Sequence, residues 1–343
     1  MAYITYLATG WEGGVAAFYA ENGWDNDFGG MASGAGQVHK TLSGAGGSYS
    51  FYTWTRMRSP AVSTNSRWLH FWQKAINTSQ DMNVQFARGG LRQFSLSASA
   101  TTGVVGFYNG GTPLAVTGPG VWNSATSHWI AIRLKAATAG TATLFIDGTQ
   151  VLTFSGDTAE QATDDWDQFA FGSFWGIFGP MNHWVDDVIV TDDDGGAMTT
   201  PLTEAYGFPI VPDGTISGNL TGVPPWVPTT DRYKNIDELP ASQTDYNLAA
   251  AANDEDLYSL TAPASGATIH AVTVWAEAGR DGTITQAAIH TVSGASDTYG
   301  TAVTLPAAPS YGVISRVHTR NPDGDVAWTN ASIAALQVGL KFT

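Results

Sequence analysis

The chain has 343 residues, long enough for two domains that each bury a core without disulfides or metals. Only 13% of its residues are charged, against about 25% in an ordinary soluble domain. Thirty acidic against fifteen basic residues leave a net charge of −15, which repels a phosphate backbone, so nucleic acid is excluded as an expected partner; the absence of cysteine excludes disulfides and thiolate metal sites.

In chain order, Met1 to Gly10 has neither a basic n-region nor an apolar run long enough for a signal peptide, and no stretch has the length and apolarity of a membrane span. Synthesis in a cytoplasm, exit by lysis and no membrane insertion are therefore expected. Short segments rich in β-branched and aromatic residues follow, alternating with period two: Tyr49 to Met57, Asn83 to Arg88, Gln93 to Ser97, Trp129 to Leu134 and Thr141 to Ile146. Turn signals separate them, among them Gly44-Ala45-Gly46-Gly47, Asn109-Gly110-Gly111 and Asp147-Gly148. Pro209, Pro212, Pro224, Pro225, Pro228 and Pro240 then mark residues 207–240 as an irregular connector, anchored by Trp226, Tyr233 and Ile236. Beyond it, Thr268 to Ala276, Ala287 to Val292 and Ile333 to Phe342 read as strands of a smaller domain, with a helical turn or two near Ala249 to Leu257. The expectation is an all-β chain: a sandwich over 1–206, the connector over 207–240 and a second β-sandwich over 241–343.

Two resemblances sharpen this. The run His128-Trp129-Ile130-Ala131-Ile132-Arg133-Leu134, followed by Thr143-Leu144-Phe145-Ile146-Asp147-Gly148, resembles laminin-G and concanavalin A-like jelly rolls, where a Trp-led strand pairs with one ending in Asp-Gly. The stretch Trp184-Val185-Asp186-Asp187-Val188-Ile189-Val190-Thr191-Asp192, then Ile236-Asp237-Glu238 and Asp256-Leu257-Tyr258, resembles tail-fibre and minor structural proteins of tailed bacteriophages. That second likeness implies a virion structural protein, of fibre, spike or capsid-decoration type. Its expected partners are further copies of itself, with trimers common among such proteins, other virion proteins, and a glycan of the host surface. A lectin-like module for host recognition is the alternative, and a polysaccharide hydrolase is a third reading.

The chemistry legible in the sequence is sparse. Glycosidases place two carboxylates about 5 Å apart when they retain configuration. Here Glu12, Glu21, Glu160 and Glu204 stand alone, while adjacent Asp186 and Asp187 face opposite sides of a strand. His128 and His183 each precede a Trp and suit hydrogen-bonded strand or rim positions better than the role of a base. Asp192, Asp193 and Asp194, like the run Asp164-Asp165-Trp166-Asp167, offer oxygens to calcium but fit a solvated turn equally; no other cofactor is expected. Among thirteen tryptophans, Trp54, Trp68, Trp72 and Trp129 sit in strands and read as core. Trp122, Trp166 and Trp175 lie near turns and are the candidates for exposed contact with a glycan or subunit. The expected outcome of a reducing-sugar assay on host polysaccharide is no product; release that a single Asp or Glu substitution abolishes would contradict the carboxylate reading.

Overall fold

The structure is a computed structural model that describes residues 5–9, 29–34, 48–58, 66–75, 81–160, 165–172, 183–192, 199–203, 210–222, 231–236, 246–261, 268–280, 282–307 and 310–343. The chain divides into two compact units, the first ending at Gly207 and the main part of the second beginning at Phe208. Both are built almost wholly of antiparallel strands.

The first unit contains β1 (Thr5–Thr9), β2 (Gly29–Gly34), β3 (Ser48–Arg58), β4 (Arg67–Ala75), β5 (Met82–Arg88), β6 (Leu91–Ala98), β7 (Val105–Asn109), β8 (Thr112–Val116), β9 (His128–Lys135), β10 (Gly140–Ile146), β11 (Thr149–Gly156), β12 (Gln168–Gly172) and β13 (His183–Asp192). Their hydrogen-bonded order is β11-β10-β9-β4-β13-β3-β12-β5-β6-β7-β8, with β1 on β13 and β2 on β3. Strand β3 belongs to both halves of this order: Tyr49 to Phe51 pair with β13, whereas Trp54 to Arg58 pair with β12. Folding the order about β3 brings β4 over β12, where the Phe71 and Phe171 rings meet edge to face at 4.9 Å, and brings β11 alongside β8. The result is a jelly-roll β-sandwich.

Period-two alternation supplies its core. Leu69 and Phe71 of β4, Ile130, Ile132 and Leu134 of β9, Phe86 of β5, Phe94 of β6 and Phe107 of β7 are fully buried. The β10–β11 hairpin is closed by Asp147 and Gly148 at φ of 51° and 77°, the left-handed pair that a two-residue turn matched to strand twist requires. In β13 the pairing with β4 slips between Asp186 and Ile189; Asp187 stands in that bulge at φ 50° and is buried, while the Asp186 side chain is outside the described set.

The second unit contains β14 (Pro212–Gly218), β15 (Thr221–Gly222), a 3₁₀ turn (Arg232–Asn235), β16 (Asn247–Leu248), β17 (Glu255–Leu260), β18 (Val272–Ala278), β19 (Gln286–Ser293), β20 (Ser296–Tyr299), β21 (Val303–Thr304), β22 (Gly312–His318), α1 (Asn330–Ala334) and β23 (Gln337–Phe342). A six-stranded sheet runs β14-β17-β23-β19-β20 with β21 also on β19, and the β18–β22 ribbon packs on it through Val274, Ile314, Ile289 and Phe342. Three expectations are corrected here. Residues 207–240 are not irregular throughout, because Pro212 to Gly218 form an edge strand on β17, the position where proline costs no ladder bond. The helical turn expected near Ala249 to Leu257 is replaced by a turn and the start of β17, and the last helical turn lies instead at α1, closed by a Thr329–Ser332 capping box. Ile333 therefore begins no strand; it plugs the core from α1.

A buried charge pair holds the connector. Asp256 points from β17 into the sandwich, fully buried, and receives Arg232 Nε at 2.6 Å and Arg232 Nη2 at 2.8 Å. Tyr258 Oη donates to the same carboxylate at 2.8 Å, and Leu220 N donates at 3.1 Å. Burial beside that charge raises the Tyr258 phenol well above its ordinary pKa. Removing either ion alone would strand the other, at a cost of about 3–5 kcal/mol. Tyr233 is half-buried and Ile236 is exposed, while Trp226 lies outside the described residues.

These contacts place the working boundary near residue 207. A fragment 208–343 is expected to show a β-type circular dichroism spectrum and a cooperative melt. A fragment 223–343, lacking β14 and Leu220, is expected to melt broadly or not at all, and equal melts would refute the assignment of β14 to this core.

Candidate functional site

At one end of the first unit a polar cluster gathers around Trp122. Its ring lies 4.8 Å from the His128 ring and 6.5 Å from that of His183. His128 Nδ1 lies 2.7 Å from Asp147 Oδ2, and Nε2 stands 2.9 Å from both the Asn123 carbonyl oxygen and Thr126 Oγ1. Asp, His and hydroxyl in this order look like a catalytic relay, but a base needs a free lone pair aimed at the hydroxyl. The Asn123 carbonyl only accepts, so Nε2 donates to it, and Thr126 Oγ1 donates to the same carbonyl at 3.1 Å. The cluster ties a loop to the Asp147 turn. His183 is fully buried and bonded to Gln73 through Nδ1, so both histidines hold the hydrogen-bonded strand positions expected of them.

Trp122 and Trp166, expected to be exposed, are corrected to interior residues with 3% and 0% exposure. Trp166 fills the sandwich against Phe86 at 5.0 Å, donates its indole N–H to the Leu134 carbonyl and lies under the Arg67 guanidinium at 4.2 Å. Arg67, which shares the inward face of β4, is paired with Asp165 at 2.7 Å. Turn residues flank both tryptophans, yet ring area drives them inward. Trp175 lies outside the described residues. On the outer face of β4 and β9, Trp68, His70 and Trp129 stack in sequence at 5.5 Å and 6.1 Å, with Trp72 beside them. Leu202 covers this ladder: its N–H donates to His70 Nε2 at 3.1 Å, and its carbonyl accepts from Trp129 Nε1 at 3.2 Å. The strand tryptophans Trp68, Trp72 and Trp129 are thus core residues, and none of these rings offers a sugar an open face; the Trp54 side chain is outside the described set.

Of the calcium candidates, Asp192 ends β13 opposite Arg67, its side chain undescribed, and Asp193 and Asp194 lie outside the described residues. Asp165 and Asp167 are occupied by Arg67 and the Gly89 N–H, respectively. Among the described residues, no group of three or more carboxylates and histidines could hold a metal ion. Glu160 forms a bidentate pair with Arg92.

The second unit holds a cluster the sequence did not announce. Thr291 of β19, Thr298 of β20, and Arg316 and His318 of β22 all face the space between sheet and ribbon, where the apolar core of Ile289 and Ile314 gives way to polar side chains. Arg316 Nη1 donates to Thr291 Oγ1 at 3.1 Å and to Thr298 Oγ1 at 3.2 Å. His318 Nε2 lies 3.3 Å from Thr291 Oγ1, and Ser293 and Asn321 continue the polar lining. Burial lowers the Arg316 pKa. Burial, and then the Arg316 charge, hold His318 at about 4. The sequence hinted at this cluster only by placing an arginine and a histidine two apart in a β-branched run of an acidic chain.

No family model matches the chain, and no curated protein is recognisably similar to it. Solved structures with partial likeness include a Bacillus subtilis protein of unknown function with a galectin-like fold (11% identity, 56% of this chain and 97% of that one, TM-score 0.36). They also include domain 4 of an extracellular arabinanase from Geobacillus stearothermophilus in complex with arabinotriose (16%, 56% and 94%, TM-score 0.35), and a galectin from Caenorhabditis elegans (10%, 41% and 94%, TM-score 0.30). Overlaps at this level do not define a topology, so the sandwich rests on its own strand pairing.

The His318 pKa sets a pH dependence. Because the folded value lies below the ordinary value of 6.5, the unfolded chain binds the extra proton first as pH falls. This contribution is complete above about pH 6.5 and is lost progressively towards pH 4. Urea melts of the parent and a His318→Gln variant should show a shallower fall in stability for the variant across that window; parallel curves would contradict it.

Proposed function

We propose that the chain is a non-enzymatic structural protein of a tailed-phage particle, present in repeated copies and held to its neighbours chiefly through the second unit. The observation that carries this reading is the distribution of exposed apolar side chains. Ile216, Leu248, Val303, Tyr311, Val317 and Val326 are all exposed in the second unit, whereas the first shows only Leu91 and Val116 among the described residues. Such side chains, in a chain with 13% charged residues, suit the core of a protein interface, from which charge is depleted. Lysine, the usual guard of open sheet edges, is scarce, which leaves edges available for pairing between copies. The sequence likeness to minor virion proteins supplies the context, and with it the expectation of a location on the particle.

A carbohydrate-binding role for the first unit finds less support, since its outer ring ladder is covered by Leu202 and two of its three candidate tryptophans are interior. The test is electron microscopy of particles carrying the labelled protein. The expected result is repeated density with the second unit against neighbouring subunits. A chain that touches no other subunit over more than about 800 Å² of total buried area would overturn the proposal, since that is the scale of incidental contacts.

A further inference from the structure

Turned away from the core, the outer face of the six-stranded sheet gathers ionisable side chains from four strands. His290 of β19 alternates with the core residue Ile289, and Glu255 of β17 alternates with the inward Asp256. Between these strands β23 presents Gly339, which has no side chain, opposite His290, and the imidazole reaches across to the Glu255 carboxylate. Asp297 and Tyr299 complete the group from β20. The Tyr299 ring stacks on the imidazole at 4.2 Å and covers it, so that His290 is 2% exposed. Tyr299 Oη donates to Glu255 Oε2 at 3.4 Å, and Lys341 Nζ of β23 stands 4.7 Å from the centre of the tyrosine ring.

The two ring nitrogens of His290 differ in what they meet. Nε2 lies 2.8 Å from Asp297 Oδ1. An ionised carboxylate only accepts, so the proton of a neutral ring sits on Nε2 and Nδ1 carries a lone pair. Nδ1 is buried without a hydrogen-bond partner, and the group facing it is Glu255 Oε2 at 3.5 Å. A lone pair set against an anion calls for positive charge between them, and the separation says which kind. A shared proton would draw the two atoms to about 2.7–2.9 Å. Bonds of about 2.0–2.2 Å to one tetrahedral metal ion set a nitrogen and an oxygen ligand about 3.4 Å apart. The Asp297 contact also supplies what a metal-bound imidazole needs behind it, a carboxylate that fixes its tautomer and orientation. An imidazole beside a carboxylate suits zinc, copper or nickel rather than calcium or magnesium, which take oxygen ligands. Glu255 and Asp297 against Lys341 leave the cluster negative, in a chain of net charge −15.

We propose that His290 Nδ1 and Glu255 Oε2 form a binding site for a divalent transition-metal ion of the zinc class, with Asp297 as the positioning residue behind the imidazole. The ring nitrogens face apart, so Asp297 holds the histidine rather than the ion, and water fills the remaining positions. An ion there joins β19 to β17 across β23. The site is independent of the virion reading.

Zinc chloride is titrated into the full chain by isothermal calorimetry, with the histidine side chains followed by NMR. The expected result is one site of micromolar affinity, whose filling shifts the Nδ1 resonance of His290 and leaves Nε2 protonated. His290→Gln and Glu255→Gln should each remove it. Glu255 is a third exposed on the outer face, so its variant leaves the core intact and a folding defect in His290→Gln does not decide the matter. Asp297→Ala should weaken binding by about tenfold or more and release the free ring to both tautomers, with the melt unchanged. No zinc uptake, or uptake that survives Glu255→Gln or a folded His290→Gln, would overturn the proposal. So would a His290 ring that is doubly protonated at neutral pH and unmoved by zinc, since a proton would then join the two carboxylates.

Discussion

A charge taken out of water must find its opposite or remain at the surface, and much of this protein's organisation answers that demand. Each sandwich contains an inward-facing ion. In the first, Arg67 lies on the same face of β4 as Leu69 and Phe71, and Asp165 with Trp166 folds down to meet it. In the second, Asp256 faces inward from β17, and the proline-rich connector is drawn across to bring Arg232 to it. In both cases an irregular segment is fixed by a pair that regular strands could not supply. Arg316 of β22 also faces inward, with the Thr291 and Thr298 hydroxyls as its partners.

The jelly roll depends on one strand serving two sheets. With β3 paired to β13 at one end and to β12 at the other, the two halves fold together, and alternating residues of β4, β5, β6, β7 and β9 meet as a single apolar layer. The abundance of aromatics follows from that architecture. Two-sided strands such as β4 bury rings on both faces: Phe71 inward, and Trp68 and Trp72 under Leu202 outward. A tryptophan-rich sequence of this kind suggests sugar-binding platforms, yet most of the described rings serve packing. In the second unit the apolar core runs out into threonines.

The all-β class, the positions of most strands and the Asp147-Gly148 turn were legible in the sequence, because period-two alternation and positive-φ turn residues are local properties that survive any tertiary context. The sequence also identified His128 and His183 as hydrogen-bonded strand residues and Trp68 and Trp129 as core, since a strand position carries its own pattern of burial. Tertiary structure alone decided the rest. Trp122 and Trp166 sit beside turn residues and look exposed, but whether such a residue is buried depends on what the fold brings over it, and both are interior. The connector looks irregular from its prolines, whereas β14 is admitted because an edge strand tolerates a missing N–H and because Asp256, forty-four residues beyond Pro212, needs a cation close by. Arg316 gave no sign of its own: its environment comes from Thr291 and Thr298 on two other strands, and only the packing of ribbon on sheet brings those hydroxyls, rather than a carboxylate, to its side.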